Sequence, residues 1–302
     1  MKQIRISVIL TILSILTSNS IYGSAPGKRD HEFSIYGSGG MSALRYKISN
    51  VDIQNGAGGN FGVGYTFFFN HQLGVHIGTD LGMYRTKVKA NDYNIVSSDL
   101  IDIEGDRFDM HTRLFDYTET QKALFLNVPV MAVYRQRMIY FMGGVKTGIP
   151  INGKYTSSCA KLENLSYYPE FDNWATTQKF AGIGKFDDKN FNGNFKLGMN
   201  LMLALEAGTK IDVRGNIALY VGAFFDCGLN NVLKEKNQSF IKYTAKNPSN
   251  FNAKMVSVSD KSNMVAVGII VRMHFKNSAK PEQYRRDKNM DTNPNFPYLL
   301  WQ

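Results

Sequence analysis

Residues 195–208 read FKLGMNLMLALEAG, residues 217–229 read IALYVGAFFDCGL, and residues 265–275 read VAVGIIVRMHF. In each, every second position is apolar. Phe195, Leu197, Met199, Leu201, Leu203, Leu205 and Ala207 share one face of the first run. Ile217, Leu219, Val221, Ala223, Phe225, Cys227 and Leu229 share a face of the second, and Val265, Val267, Ile269, Val271, Met273 and Phe275 a face of the third. A period of two is the side-chain repeat of a β-strand. The runs are longer than the usual strand of about 5–6 residues. A strand tilted by about 45° needs about 9–11 residues to cross a bilayer, so each is long enough to do so.

Five weaker runs of the same kind precede them, at 32–47, 59–69, 72–88, 123–135 and 138–151. Their apolar faces include Phe33/Ile35, Phe61/Val63/Tyr65, Leu73/Val75/Ile77/Leu81, Leu124/Leu126/Val128 and Ile139/Phe141/Val145. Eight strands result. The links alternate in length. Short turns fall at 70–71, 135–137 and 212–215, and longer connections at 48–58, 89–122, 152–192 and 230–262. The expected fold class is all-β: an eight-stranded antiparallel up-and-down transmembrane β-barrel with short periplasmic turns and long extracellular loops. The rival is a soluble eight-stranded ligand barrel, which points its apolar stripe inward and a polar stripe at water. Here the second face is rich in Gly, Ala, Ser, Asn and Tyr, the small or amphipathic residues that suit a crowded interior, so the apolar stripe is assigned to lipid. Phe67, Phe69, Tyr134 and Phe275 lie near strand ends, where aromatic girdles meet the membrane interface.

Composition agrees. The chain has 302 residues, 43% hydrophobic, 13% aromatic and only 20% charged, which excludes a disordered polymer. The formal charge of +10 comes from 35 Lys+Arg against 25 Asp+Glu. Residues 1–23 carry Lys2 and Arg5 ahead of a short apolar run and a stretch of small residues, the layout of a cleaved secretory signal peptide. Loss of Lys2 and Arg5 leaves +8 (10 − 2). An exported protein does not meet nucleic acid, so none is expected as a partner. The barrel is expected over 31–276, and residues 277–302 as a disordered periplasmic tail, too short for a further domain.

The segments GGNFGVGYTFFF (58–69), YTETQKALFLNVPVMAVYR (117–135), GGVKTGIPINGKYT (143–156), LEAGTKI (205–211) and FFDCGLNNV (224–232) resemble the outer-membrane protein A-like β-barrels of Bacteroidetes-type bacteria. The resemblance implies outer-membrane location in a Gram-negative bacterium, contact with outer-membrane lipid and lipopolysaccharide, and insertion by the barrel assembly machinery. It also implies a monomer with structural or adhesive roles and at most a small pore. Many relatives add a peptidoglycan-binding domain after the barrel. The 26 residues after Lys276 are too few for one, so wall anchoring is not carried over.

Charges on the interior stripe are the first candidate site: Asp80, Lys146, Lys196, Glu206 and Arg272, with His76, Asp226 and His274. Charges in a narrow barrel are costly unless paired. An internal polar network is expected, with Lys146–Glu206 as the leading pair. A fixed plug and a gated narrow conduit for small solutes both fit it. The second candidate is a surface-contact patch of Tyr167, Tyr168, Phe171 and Trp174 in a long loop, suited to an extracellular protein or glycan.

Other motifs are weak. Asp188, Asn190, Asn192 and Gly193 imitate the start of a calcium loop, but its twelfth position is Met199 where a bidentate Glu is needed, so a turn is expected there. His111 lies among Asp102, Glu104, Asp106, Asp109 and Asp116, without a spacing that defines a nucleophile and base, although a rim hydrolase stays open. Gly58, Gly59, Gly62 and Gly64 lead into no helix and read as strand. Pro129 lacks a ladder donor, so irregular pairing is expected beside it. Cys159 and Cys227 show no metal spacing, and their pairing is left open. The chain is read as a non-enzyme, with no catalytic residues, metal or cofactor.

Overall fold

The computed structural model describes residues 31–277 apart from 47, 49, 215, 235–239, 248–250, 259 and 260. Residues 1–23, expected as a signal peptide, and the tail beyond residue 277 lie outside the described residues. In chain order the strands are β1 (His31–Tyr46), β2 (Asp52–Phe68), β3 (Leu73–Ile101), β4 (Arg107–Gln136), β5 (Ile139–Tyr168) and β6 (Asn173–Ala175). They continue with β7 (Gly184–Asn194), β8 (Asn200–Arg214), β9 (Ile217–Gly228), β10 (Ile241–Lys242), β11 (Asn252–Ala253) and β12 (Ser262–Asn277). Eight of them form one antiparallel ring in the order β4-β3-β2-β1-β12-β9-β8-β5, and β5 closes back on β4. Closure leaves no edge, so backbone groups in lipid find partners within the sheet.

The apolar stripe faces outward. Ile269, Phe61 and Leu81 are 64%, 66% and 51% exposed, while Glu206, Tyr220 and Arg272 on the opposite parity are buried. In water such a surface is unfavourable, and lipid removes that cost. Small residues let the interior close up: a Cβ on Gly268 would overlap the carbonyl oxygen of Gly39 on the neighbouring strand.

Tight turns join the strands at one end. After β2, the Asn70 side-chain oxygen accepts the backbone N–H groups of Gln72 and Leu73 at 2.8 and 2.7 Å. After β4, Arg137 takes φ 52°, the left-handed conformation a two-residue hairpin needs.

The other end departs from expectation. The connections 89–122 and 152–192 are mostly strand, not loop. β4 and β5 have 30 residues each, about 100 Å of extended chain, far more than a bilayer requires. They stay paired out to Asp109↔Tyr167, with one shift of register where Phe125 faces Pro150 and Leu124 faces Asn152, so the sheet continues beyond the membrane. The calcium-like segment is likewise no turn: it lies within β7, paired to β5.

The parity of the opening run also needs correction. Phe195 and Leu197 are buried, and the outward stripe starts only at Met199 and Leu201. The cause is a break between β7 and β8. The Gly198 N–H donates to the Val232 carbonyl at 2.7 Å and Lys234 N–H to the Lys196 carbonyl at 3.2 Å, so this segment pairs with the last long connection and leaves β5.

That connection fills the mouth. Phe240, Ile241, Phe251, Met255 and Val256 pack against Phe108, Met110, Leu114, Tyr117 and Leu162. The extramembrane half thus has an apolar core above a polar lumen. At Pro129 the β3–β4 ladder lacks the pairs for Gly78 and Thr79 without changing register.

Candidate functional site

The lumen is occupied by stacked polar layers. Nearest the tight-turn end, Glu32 is contacted by three groups from three strands. Arg135 pairs with one carboxylate oxygen, His274 Nδ1 lies 3.0 Å from the other, and the Tyr220 hydroxyl is 3.5 Å from that same oxygen. The Arg135 guanidinium lies over the Phe68 ring at 3.6 Å, and Tyr220 stacks on His274 at 4.1 Å.

The next layer centres on Arg272. Its Nε and Nη2 donate to the two oxygens of Glu206 at 2.9 and 2.7 Å, the bidentate geometry that makes an arginine–carboxylate pair strong. Tyr140 donates to the same carboxylate at 2.8 Å. The guanidinium stands 3.9 Å over the Tyr36 ring and 3.4 Å from His76 Nε2, and His76 Nδ1 is 2.9 Å from the Thr66 hydroxyl.

Above it, Lys146 Nζ donates to Asp226 Oδ2 at 2.6 Å. Asp80 accepts from neutral donors, Tyr36 OH at 3.1 Å and Asn127 Nδ2 at 2.7 Å. The cavity these layers enclose, bordered by Tyr36, Asp80, Lys146, Glu206, Asp226 and Arg272, has a volume of about 10 Å³. That is room for about one water molecule at most.

Asp80, Lys146, Glu206 and Arg272 therefore lie in the lumen, but the partners differ from expectation. Lys146 stands opposite Met202, four residues or roughly 13 Å along the strand from Glu206. The true pairs, Lys146–Asp226 and Arg272–Glu206, each skip one intervening strand, because a narrow ring brings side chains together across its bore. Lys196 is not part of the network. It is exposed, in the segment that breaks away between β7 and β8. Glu32, Arg135, Tyr140, Tyr220 and Asn127 were missed. Their parity was readable once Phe33 and Ile35 faced lipid, but which of them converge was not.

A further buried carboxylate lies above the apolar band, outside the bilayer. Glu119 accepts from Tyr117 OH at 2.6 Å, Gln121 Nε2 at 2.6 Å and the backbone N–H of Met255 at 2.8 Å. Met255 opens the short 3-10 turn Met255–Ser257, so this carboxylate ties the mouth-filling connection to the wall. Burial pushes the Glu119 carboxyl up from its ordinary value.

At the far tip, Tyr168, Phe171 and Trp174 line one cavity of about 330 Å³ with Asp102, Glu104 and Phe180. Phe171 and Trp174 are exposed. Tyr168 OH donates to Asp102 at 3.2 Å, and burial with the nearby Asp102 charge pushes its phenol up. Tyr167 stands behind, with its ring 5.0 Å from Trp174 and its hydroxyl donating to Asp172 at 2.8 Å. His111 lies against Trp174 at 5.0 Å. The acids near it hold backbone: Asp102 Oδ1 accepts the N–H groups of Glu104, Gly105 and Asp106, and Asp109 accepts that of Asp99. Cys159 and Cys227 are both free thiols.

A closed eight-stranded ring with lipid-facing stripes now meets its family. The model of the outer membrane protein β-barrel domain matches residues 21–234, most of the chain. The chain belongs to that family. This outer-membrane β-barrel resides in the outer membrane of a Gram-negative bacterium, in contact with its lipid. No curated protein matches it. Solved structures similar to it include the attachment invasion locus protein of Yersinia pestis in complex with the heparin analogue sucrose octasulfate, at 12% identity and TM-score 0.29, covering 82% of this chain and 99% of that one. Neisserial surface protein A follows at 9% identity and TM-score 0.29, covering 80% and 97%. The outer membrane protease OmpT from Escherichia coli gives 9% and 0.31, covering 84% and 98%.

Proposed function

We propose that this outer-membrane barrel is a non-enzymatic, monomeric scaffold with a structural and surface-interaction role. Its lumen is a fixed plug, and its extramembrane sheet presents the Tyr168–Phe171–Trp174 tip to an extracellular protein or glycan. The observation that carries the reading is the contrast between the two ends of the molecule. The bore is filled by paired charges with about 10 Å³ left between them, whereas large aromatic side chains stand exposed about a cavity at the tip. Exposed aromatics beside carboxylates favour contact with a partner. A non-enzymatic role is supported by Asp102 and Asp109, each of which has one carboxylate oxygen engaged by backbone N–H groups of the tip.

Two measurements test it. In planar bilayers the wild-type protein is expected to show no steady ion conductance. In nanodiscs it is expected to bind at least one member of an immobilised panel of glycans and extracellular-matrix proteins, and a Phe171→Ser/Trp174→Ser variant is expected to lose that binding. Steady conductance would sink the plug, and binding untouched by the tip variant would sink the surface assignment.

A further inference from the structure

The outward face of β3, β4 and β5 carries a row of cations that neither the lumen nor the tip explains. Arg85 stands directly opposite Lys122, and Lys122 directly opposite Lys154. Their chain neighbours Tyr84, Thr86, Gln121, Ala123, Gly153 and Tyr155 are buried, so all three point out of the barrel. Like charges directly opposite on adjacent strands are destabilising. The two rows above add Lys87 beside Thr120 and Thr156, and Lys89 beside Thr118 and Ser158. Asp52, opposite Lys89, is the acid at the edge of this patch. The Arg85 Nε is buried and has no hydrogen-bond partner among the described residues, an unmet donor at the end of the row.

Height identifies the partner. The row immediately below holds Met83, Leu124 and Asn152, and below that come Leu81, Leu126 and Ile149. The cations therefore stand on the upper rim of the lipid-facing apolar band, on the side of the extramembrane sheet. A ligand touching both needs acyl chains below and anionic groups at the level of the row. A bridging anion turns the unfavourable Arg85–Lys122–Lys154 alignment into a chelating one, with hydroxyls from Thr120 and Thr156 above it.

We infer that Arg85, Lys122 and Lys154 form a binding site on the outer wall for the phosphate groups of an acylated glycolipid in the outer leaflet. The inference is independent of the tip and of the plug: a protein that conducts, or that binds nothing at its tip, can still carry this site.

The test uses the full chain refolded into phosphatidylcholine nanodiscs and diphosphoryl lipid A as the probe, with bound lipid counted by native mass spectrometry. Wild type is expected to retain diphosphoryl lipid A in preference to its dephosphorylated form. Arg85→Gln/Lys122→Gln/Lys154→Gln is expected to bind it weaker by on the order of 100-fold, from about fivefold per surface cation. A control of equal charge change in the extramembrane hairpins, Lys161→Gln/Lys179→Gln/Lys185→Gln, is expected to leave retention unchanged. Should the triple variant not fold, Lys122→Gln alone carries an expected loss of about fivefold. Equal retention by wild type and the row variants, or equal loss in the control, overturns the site. Displacement of the lipid by millimolar inorganic phosphate or by dextran sulfate assigns the row to soluble anions and overturns the lipid assignment.

Discussion

Lys146 and Asp226 are both buried, and each is the other's counter-charge. Removing one side leaves an uncompensated charge inside the barrel, whereas removing both leaves a neutral bore. Lys146→Met alone is therefore expected to cost about 3–5 kcal/mol of unfolding free energy, and Lys146→Met/Asp226→Leu to recover most of that loss. Urea titration in lipid vesicles measures both, and additive losses would show that the two groups are not coupled. Glu119 supplies a pH signature of its own. Burial raises its folded-state pKa above the ordinary 4.5, so its stabilising contribution is complete below that pH and is lost as pH rises through the folded value. The melting temperature of wild type minus that of Glu119→Gln is thus expected to fall as pH is raised from about 4.5, then to level off once the carboxyl is ionised. A difference that stays flat with pH would show that Glu119 is not shifted by burial.

Among the elements, the break between β7 and β8 shows how a strand pattern is overruled. Phe195 and Leu197 fit the lipid-facing stripe by spacing, yet both turn into the extramembrane core, because Lys196 and Gly198 pair with 232–234. The turn inward depends on Gly153: a Cβ there would lie 2.7 Å from the Phe195 carbonyl oxygen, whose own N–H donates to the Gly153 carbonyl at 3.0 Å. Gly153→Val is expected to destabilise the protein by about 1–3 kcal/mol through this overlap. It is also expected to raise hydrogen exchange at Phe195 and Gly198 ahead of the membrane strands. Unchanged exchange at those amides would remove Gly153 from this role. The strands β4 and β5 point the same way. Their extramembrane halves alternate in burial as their membrane halves do, but around an apolar core, so inward residues such as Leu114 and Leu162 are larger and greasier.

At the scale of the molecule, a closed ring unfolds cooperatively because every strand has two neighbours. The unboiled protein is expected to run faster than the boiled protein on a detergent gel, as a compact barrel does, and to fractionate with the outer membrane. A single mobility for both samples would contradict closure. The charged layers of the lumen and the apolar cluster above them are packed by different physics, ion pairs in the one and burial of large side chains in the other.

The sequence by itself determined the all-β class, the eight membrane strands, the outward stripe and the tight turns at one end. These depend on period-two alternation and on local turn chemistry, which neighbouring residues decide. It also marked Asp80, Lys146, Glu206 and Arg272 as interior, because parity alone places a side chain inside or outside. Only the tertiary structure decided that Lys146 meets Asp226, that Lys196 leaves the lumen, and that residues 89–122 continue as sheet. Register across a ring and pairing over a skipped strand are set by closure, which joins residues 80 positions apart in Lys146–Asp226 and 196 apart in His76–Arg272. No window of sequence contains both ends of such a contact.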